Sequence, residues 1–135
     1  MKYFLDTEFI EGFRKPLFGK SRHFIDLISI GIVAEDGREY YAISNEFDLK
    51  RAWKDDWLRE NILLPIWKEL CSRAGTYVKT YHHGLIEWSY KGLKNLIRWH
   101  GKSNKEIAQN LLDFFGCGYE EGAWYAPKGV EVYAY

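Results

Sequence analysis

The stretch YFLDTEF, residues 3–9, places two acids inside an otherwise apolar and aromatic run. Asp6 and Glu8 are two positions apart, and in a β-strand residues i and i+2 point to the same face. The run therefore predicts a buried first strand, residues 2–9, from which both carboxylates project together. Carboxylates this close repel each other, and burial makes each charge more costly. A divalent cation would remove both costs, although a solvated strand face would also accommodate the pair.

The next segments predict a hairpin. Residues 25–34 are apolar on both faces, as in a central strand. Asp36-Gly37 follows, the pair that favours a two-residue type I′ turn, and residues 38–44 return as a third strand. With residues 2–9 these segments predict a three-stranded antiparallel sheet, and residues 10–24 are predicted to form a loop.

The predicted loop is rich in cations around Pro16 and Gly19. Its basic residues and its histidine are Arg14, Lys15, Lys20, Arg22 and His23. One interpretation is a solvated basic loop. The other is a clamp that holds substrate phosphates beside the two acids.

The middle of the chain predicts helices. Asp48 and Asp55 can each cap a short helix, and Pro65 suits the first turn of a helix that ends near Arg73. Residues 74–88, which include His82 and His83, are predicted to be irregular.

Two further helices and a late strand are predicted. A helix over residues 89–100 should end at Gly101, and Ser103-Asn104-Lys105-Glu106 has the pattern of a capping box before a helix that Gly116 ends. Residues 130–135 predict a strand. The order of three strands, helices and a strand fits an α/β sheet whose late strand lies beside the first. Because the sequence stops within this strand, residues 1–135 are expected to form a single, incomplete domain.

Composition favours a folded domain. The chain has 135 residues, of which 47% are hydrophobic and 28% charged, and its net charge is zero. Zero net charge argues against tight nonspecific binding of duplex nucleic acid, but it allows an enzyme to bind a few nucleotides at one end of a strand. Cys71 and Cys117 fit no metal-binding spacing, so we expect reduced thiols in the core of a cytoplasmic protein. We expect no signal peptide, no membrane span and no membrane partner.

The first strand resembles a known family. The run Phe4-Leu5-Asp6-Thr7-Glu8-Phe9 resembles the first motif of the Asp-Glu-Asp-Asp 3′–5′ exonucleases, which have a ribonuclease H-like fold. Roughly the first 48 residues resemble one branch, the polyadenylate-specific exoribonucleases of mycobacteria. Residues 131–135 resemble the segment that leads into the family's second motif. The resemblance implies a mixed sheet flanked by helices, apparently truncated at its C-terminus.

The resemblance also implies a chemistry. It implies hydrolysis of phosphodiester bonds at the 3′ end of single-stranded RNA or DNA, with Mg²⁺ or Mn²⁺ as cofactor. Asp6 and Glu8 would be catalytic residues and metal ligands of a two-metal site, in which one ion activates water and the other stabilises the leaving oxygen. Thr7 and Phe9 would contact substrate, with Phe9 near the terminal base. The cations Arg14, Lys15, Lys20 and Arg22 are further candidate substrate contacts.

The sequence departs from the family beyond this first motif. The family's later acids and its histidine base have no counterpart, and His82 and His83 lack a zinc-binding pattern. We therefore expect weak or no activity from these 135 residues alone. One alternative is a catalytically silent ribonuclease H-like module that binds nucleic acid or protein. Another is a resolvase or transposase domain, which the neutral charge disfavours. An incomplete sheet edge would favour a homodimer.

Overall fold

The computed structural model describes residues 1–73 and 88–134. The chain divides into two compact units, one made of Met1–Glu46 with Lys102–Tyr135 and the other of Phe47–Gly101. The first unit contains the sheet and the second is helical. That the chain forms a single domain stays a prediction.

A four-stranded mixed sheet forms the first unit. The strands of this unit are β1 (Lys2–Arg14), β2 (Arg22–Ala34), β3 (Glu39–Ile43), β4 (Gly118–Glu120), β5 (Ala123–Tyr125) and β6 (Glu131–Ala134). The sheet order is β3-β2-β1-β6, with β1, β2 and β3 antiparallel and β6 parallel to β1. The predicted antiparallel start and the late strand beside the first are confirmed. The architecture is α/β, with a mixed sheet flanked by helices, consistent with a ribonuclease H-like fold. The small β4–β5 hairpin was not predicted.

One face of the sheet packs against a helix, α5 (Asn104–Phe115). The buried cluster between them consists of Tyr3, Ile30, Ile32, Ala34, Ala42 and Ile107. The Tyr3 ring meets Phe115 edge-on, with the ring centroids 4.7 Å apart. Full burial of such a side chain contributes about 1.5–3 kcal/mol. The face of the sheet on which Tyr3 lies is therefore the one that packs against the helix, and we call it the α5 face.

Both predicted ends of α5 are confirmed. The Ser103 hydroxyl accepts a hydrogen bond from the Glu106 N–H at 3.2 Å. In a complete capping box the Glu106 carboxylate would accept from the Ser103 N–H. Here it forms an ion pair with the Lys102 ammonium at 3.5 Å. At the other end Gly116 has φ 72° and donates its N–H to the carbonyls of the last turn. A left-handed conformation of this kind favours glycine and closes a helix.

Strands β1 and β2 are much longer than predicted. The predicted loop over residues 10–24 is wrong, because the ladder continues from Ile10 opposite Asp26 to Arg14 opposite Arg22, and only residues 15–21 connect the strands. Cross-strand pairs support the extension: Arg14 donates to the Asp26 carboxylate at 2.7 Å. The register shifts between Glu8 and Phe9, where the partners step from residue 29 to residue 27. Such a bulge breaks the alternation from which strands are predicted.

The turn between β2 and β3 is not the predicted type I′ turn. That turn needs positive φ at both central residues. Among the described residues Glu121 is the only non-glycine with positive φ, so Asp36 does not meet this requirement. The Gly37 N–H donates to the Ala34 carbonyl at 2.9 Å, and the Ala34 N–H donates to Arg38. The loop therefore has three residues and ends in a glycine bulge, with Gly37 at φ 86°.

The second unit is helical. Its helical segments are α1 (Leu49–Lys54), α2 (Asp56–Leu58), a π-helical stretch (Arg59–Leu63), α3 (Leu64–Arg73) and α4 (Tyr90–His100). Asp48 and Asp55 cap α1 and α2 as predicted, accepting from the N–H groups of Arg51 and Leu58. The Ser89 hydroxyl caps α4, which ends at Gly101 as predicted.

Pro65 lies in the first turn of α3, which ends at Arg73 as predicted, and the π-helical stretch Arg59–Leu63 leads directly into this turn. There the Leu64 N–H donates to the Arg59 carbonyl, five residues earlier. Proline has no N–H, and its ring crowds the carbonyl four residues before it. A wider π turn at this point relieves that crowding.

The remaining predictions concern cysteines, residues 74–88 and the membrane. Cys71 and Cys117 are free thiols and are half-buried, and burial raises the pKa of the Cys71 thiol. The predicted irregular segment and its histidines fall on residues 74–87, outside the described residues. Within residues 1–73 and 88–134, every helix is too short or too polar to cross a bilayer.

Candidate metal and nucleic-acid site

Strand β1 places Asp6 and Glu8 on one side of the sheet. Asp6 lies opposite Gly31 and Glu8 opposite Ser29 in an unbroken part of the ladder. The bulge comes immediately after Glu8, so strict alternation holds across both acids. The carboxylates therefore share a face, opposite the one on which Tyr3 is buried. We call this the carboxylate face.

The carboxylate face is more open than the sequence suggested. The aromatic run predicted a buried strand, but Asp6 is exposed and Glu8 is half-buried. Burial on this face lies beside Glu8 rather than beside Asp6, at Ser29 and Ile43. Phe4, on the carboxylate face, is itself partly exposed and stacks on Tyr133 of β6, with ring centroids 5.6 Å apart. The run is aromatic because both faces need apolar contacts at this end of the strand, and not because both are sealed.

The two acids interact electrostatically. Burial, and secondly the negative charge of Asp6, raise the pKa of the Glu8 carboxyl above its usual value. Both causes act by disfavouring the charged form of Glu8. A cation held between the side chains would oppose both. The residue types, the shared face and the open approach thus fit a hard divalent cation that prefers carboxylate oxygens.

A shallow cavity of about 340 Å³ adjoins Asp6. Its lining on the carboxylate face comes from three strands: Phe4, Asp6, Gly31, Val33, Glu39 and Tyr41. Gly31, opposite both Asp6 and Tyr41, leaves space there, since a Cβ at this position would lie 3.6 Å from the Tyr41 ring. The volume lies within the range of small-molecule sites, about 300–1,000 Å³.

Glu39 and Tyr41 were missed by sequence reasoning. A two-residue Asp36-Gly37 turn would have paired position 31 with position 42 and turned Tyr41 toward the α5 face. The observed three-residue loop pairs Gly31 with Tyr41 and Val33 with Glu39. A shift of one residue exchanges the two faces of a strand. The signal that could have found these residues is the alternative glycine-bulge loop, which also suits the Glu35-Asp36-Gly37 sequence.

Thr7 and Phe9, the other predicted contacts on β1, are not brought to the carboxylate face. Thr7 lies opposite Ile30, and Phe9 lies opposite Leu27, whose side chain packs against the core cluster under α5. Their part in substrate binding stays a prediction.

The predicted basic contacts lie at the far end of the β1–β2 ladder. We call this end the hairpin arm: residues 9–14 of β1, the connection 15–21 and residues 22–27 of β2. Glu8 and Arg14 are six positions apart on one strand, and at about 3.4 Å per residue this is about 20 Å. The cations are therefore distant from the acids rather than beside them.

In the described part of the chain, no third metal ligand joins the two acids. Among residues 1–73 and 88–134, no group of three or more His, Cys, Asp and Glu side chains is arranged to hold a metal ion. The described part of the chain thus brings together a pair of carboxylates on an open face, and His82 and His83 lie outside it.

Similarity to known proteins covers part of the chain. Two curated proteins of Mycobacterium tuberculosis, strains CDC 1551 / Oshkosh and ATCC 25618 / H37Rv, are each named 3′–5′ exoribonuclease and are 56% identical to this chain over 63 residues. The matched residues are 47% of this chain and 31% of each relative. No protein-family model matches the chain. The similarity relates this matched region to proteins that are named exoribonucleases, and it spans about a third of their length.

Proposed function

We propose that this chain carries part of a metal-dependent 3′–5′ exonuclease site that hydrolyses phosphodiester bonds at the 3′ end of single-stranded nucleic acid. The observation that carries the proposal is the pair of acids, Asp6 and Glu8, on one open face of β1. The exoribonuclease name of the partial relatives supports RNA as the substrate class.

In this proposal Asp6 and Glu8 hold Mg²⁺ or Mn²⁺. When bound, the cation would supply charge neutralisation at the scissile phosphate and a more acidic water. Asp6, being exposed, can approach an ion with little rearrangement, whereas Glu8 is half-buried and has a pKa raised by burial and by the charge of Asp6. Glu8 thus ties metal binding to pH: binding should strengthen as the pH rises through its raised pKa.

The cavity beside Asp6 would receive the terminal nucleoside. Phe4 and Tyr41 offer ring surface on either side of Gly31, and aromatic faces stack on bases with little regard to sequence. Side chains at position 31 would reduce that space. In this proposal the base lies on the β2–β3 side of the acids and the phosphate lies at the acids themselves.

We also propose that the 135-residue chain cleaves slowly on its own. Two-metal catalysis requires enough ligands to fix both ions and a base for the attacking water, and the described residues supply two carboxylates. The loss of even a few kcal/mol of transition-state stabilisation is worth several orders of magnitude in rate.

The test is a gel assay of 5′-labelled single-stranded RNA in Mn²⁺, with the M. tuberculosis relative as benchmark. The chain should shorten RNA from its 3′ end several orders of magnitude more slowly than the relative, and Asp6→Asn should abolish this residual activity. A rate equal to the relative's would contradict the slow-cleavage proposal. Cleavage that survives Asp6→Asn would overturn the site.

Titration calorimetry provides a second test that does not depend on catalysis. Mn²⁺ should bind more weakly than about micromolar, since Mg²⁺-type sites with one or two carboxylates rely on waters and substrate phosphates. Asp6→Asn should remove the heat of binding. Submicromolar affinity, or binding that is unchanged in the variant, would rule out Asp6 as a ligand of a weak two-carboxylate site.

A silent binding module is the second candidate, and the absence of a third ligand among the described residues favours it. Such a module would bind single-stranded RNA with equal affinity in EDTA and Mn²⁺ and would release no nucleotides even after prolonged incubation with excess protein. Metal-dependent release of nucleotides that Asp6→Asn abolishes would eliminate this candidate.

A further inference from the structure

The hairpin arm is an exposed, cationic projection that the chemistry at Asp6 and Glu8 does not use. Its connecting segment exposes two large apolar side chains almost fully, Leu17 at 94% and Phe18 at 88%. Exposure of this degree offers no folding benefit from burial. The segment is therefore not accounted for by the core.

The arm concentrates positive charge that its own acids do not neutralise. The Asp26 carboxylate forms an ion pair with the Arg14 guanidinium at 2.7 Å, and the Glu11 carboxylate lies 3.5 Å from the imidazole of His23. Lys15, Lys20 and Arg22 are exposed and form no ion pair with any residue in ranges 1–73 and 88–134. In a chain of zero net charge, three unpaired cations within eight positions make a local attraction for anions.

A cavity of about 660 Å³ lies among these cations. Its lining alternates charge with ring or apolar surface: Arg14, Lys15, Pro16, Phe18, Gly19, Lys20, Arg22, His23 and Phe24. The Arg14 guanidinium lies over the Phe24 ring, 4.4 Å from its centroid. Cations that track a backbone, interleaved with rings on which bases stack, are the elements of a single-strand binding surface.

We infer that the hairpin arm binds the backbone and bases of a single-stranded nucleic acid several nucleotides upstream of the 3′ end held at Asp6 and Glu8. This inference rests on the proposed function for the position of the 3′ end, but binding at the arm itself does not require catalysis. Complementary charge and the exposed Phe18 ring argue for nucleic acid as the occupant.

The length of the arm sets a length requirement for the ligand. Arg14, where the connecting segment begins, lies about 20 Å from Glu8 along the strand, and a stacked nucleic-acid strand rises about 3.4 Å per nucleotide. About six nucleotides therefore separate the two contacts, fewer if the strand is extended. An oligonucleotide of two or three nucleotides can occupy the acids or the arm but cannot span both.

The experiment measures binding of labelled, mixed-sequence RNA in EDTA by fluorescence anisotropy. The arm variant combines Lys15→Gln, Lys20→Gln and Arg22→Gln, which leave the Arg14–Asp26 pair intact. The matched control combines Lys68→Gln, Lys94→Gln and Lys105→Gln, three exposed helical lysines. Both variants lower the net charge equally, and thermal unfolding checks that both are folded.

For RNA of about twelve nucleotides, the arm variant should bind about tenfold more weakly at low salt. The slope of log K against log[salt] should fall in magnitude by about 2, since each phosphate contact to a single strand contributes about 0.7. The control variant should bind as the wild type does. Phe18→Ala should weaken binding about fivefold through lost stacking, with the salt slope unchanged.

Cleavage separates this inference from the proposed function. The arm variant should lose activity on the long RNA at subsaturating concentrations and keep its activity on a trinucleotide, whereas Asp6→Asn should lose both. Unchanged affinity of the arm variant for the long RNA would overturn the inference, as would an equal loss in the control variant. A change from dimer to monomer with unchanged RNA affinity would assign the arm to self-association instead, and would also overturn it.

Discussion

The two halves of strand β1 share a backbone ladder but differ in what surrounds them. One face of Lys2–Glu8 packs against α5, and Tyr3 on that face is only 2% exposed. Strand β6 pairs with the second edge of this half from Lys2 to Leu5. Phe9–Arg14 pairs with β2 alone, and beyond Ile10, which is 4% exposed, its side chains open to solvent, with Phe13 63% exposed. The acids thus stand on the half that packing holds in place, and the cations stand on the half that it leaves free.

This difference matches the requirements of the two chemistries. Metal ligands must be held within a fraction of an ångström, so they belong on rigid elements. Phosphate contacts by long basic side chains tolerate movement, because they position a backbone without reading it closely. The bulge separates the two regions, because Ile28 of β2 has no partner on β1 and the regular ladder is interrupted between Glu8 and Phe9.

The largest expected effect is on the cleavage rate, when a carboxylate is neutralised in one half of β1 or in the other. Glu8→Gln should lower the metal-dependent cleavage rate about a hundredfold or more, since a lost metal ligand removes several kcal/mol of transition-state stabilisation. Glu11→Gln, three residues away in the arm, should change the rate by less than about twofold. Initial rates of both variants at saturating Mn²⁺ make the measurement. Equal losses would mean that the acids do not act at a local site.

The second effect concerns stability. Ile107→Ala removes a fully buried α5 side chain beneath the packed half and should cost about 2–5 kcal/mol of unfolding free energy. Ile25→Ala in the arm, where the side chain is 59% exposed, should cost no more than about 0.5 kcal/mol. Urea unfolding of the two variants provides both values. A large loss at Ile25 would show that the arm is part of the cooperative core.

Sequence reasoning succeeded where local and periodic signals agreed. Asp6 and Glu8 were placed on one face because no irregularity lies between them, and the ends of α5 were found because Ser103 and Gly116 act through local hydrogen bonds. Residues 10–24 were predicted as a loop because Pro16, Gly19 and the cations around them are typical of one, and the cross-strand pairs that extend the ladder are not local signals. Which residues of β3 share a face with the acids could not be predicted either, because a difference of one residue in the length of the turn exchanges the two faces.

That turn supplies the third prediction. Gly37 has φ 86°, and nothing lies within 4 Å of where a Cβ would be, so Gly37→Ala tests backbone conformation alone. It should cost about 1–2 kcal/mol, the usual penalty of a left-handed residue other than glycine. Gly37→Asn, which tolerates this conformation better, should cost less. Urea unfolding compares them. Equal penalties would contradict the glycine-bulge loop that sets Tyr41 opposite Gly31.

The smallest effect is the pH dependence of stability at Glu8. Its pKa in the folded protein is raised above the usual value of about 4.5, first by burial and then by Asp6. Between the usual and the raised pKa the folded state binds more protons than the unfolded state, so stability falls as pH rises through this window. The penalty is absent below the usual pKa and complete above the raised one.

Glu8→Gln removes this penalty and should therefore raise the Tm near neutral pH in EDTA. The rise should be no more than about 2 °C, because solvent screens a half-buried side chain. At about pH 4, below the usual pKa, the two proteins should melt at closer temperatures. Mn²⁺ at neutral pH should stabilise the wild type and not the variant, since a ligand that binds only the folded state raises its Tm. A destabilised variant at neutral pH in EDTA would mean that the Glu8 carboxylate already has a stabilising partner without a cation, and the case for a metal site on the packed half of β1 would fail.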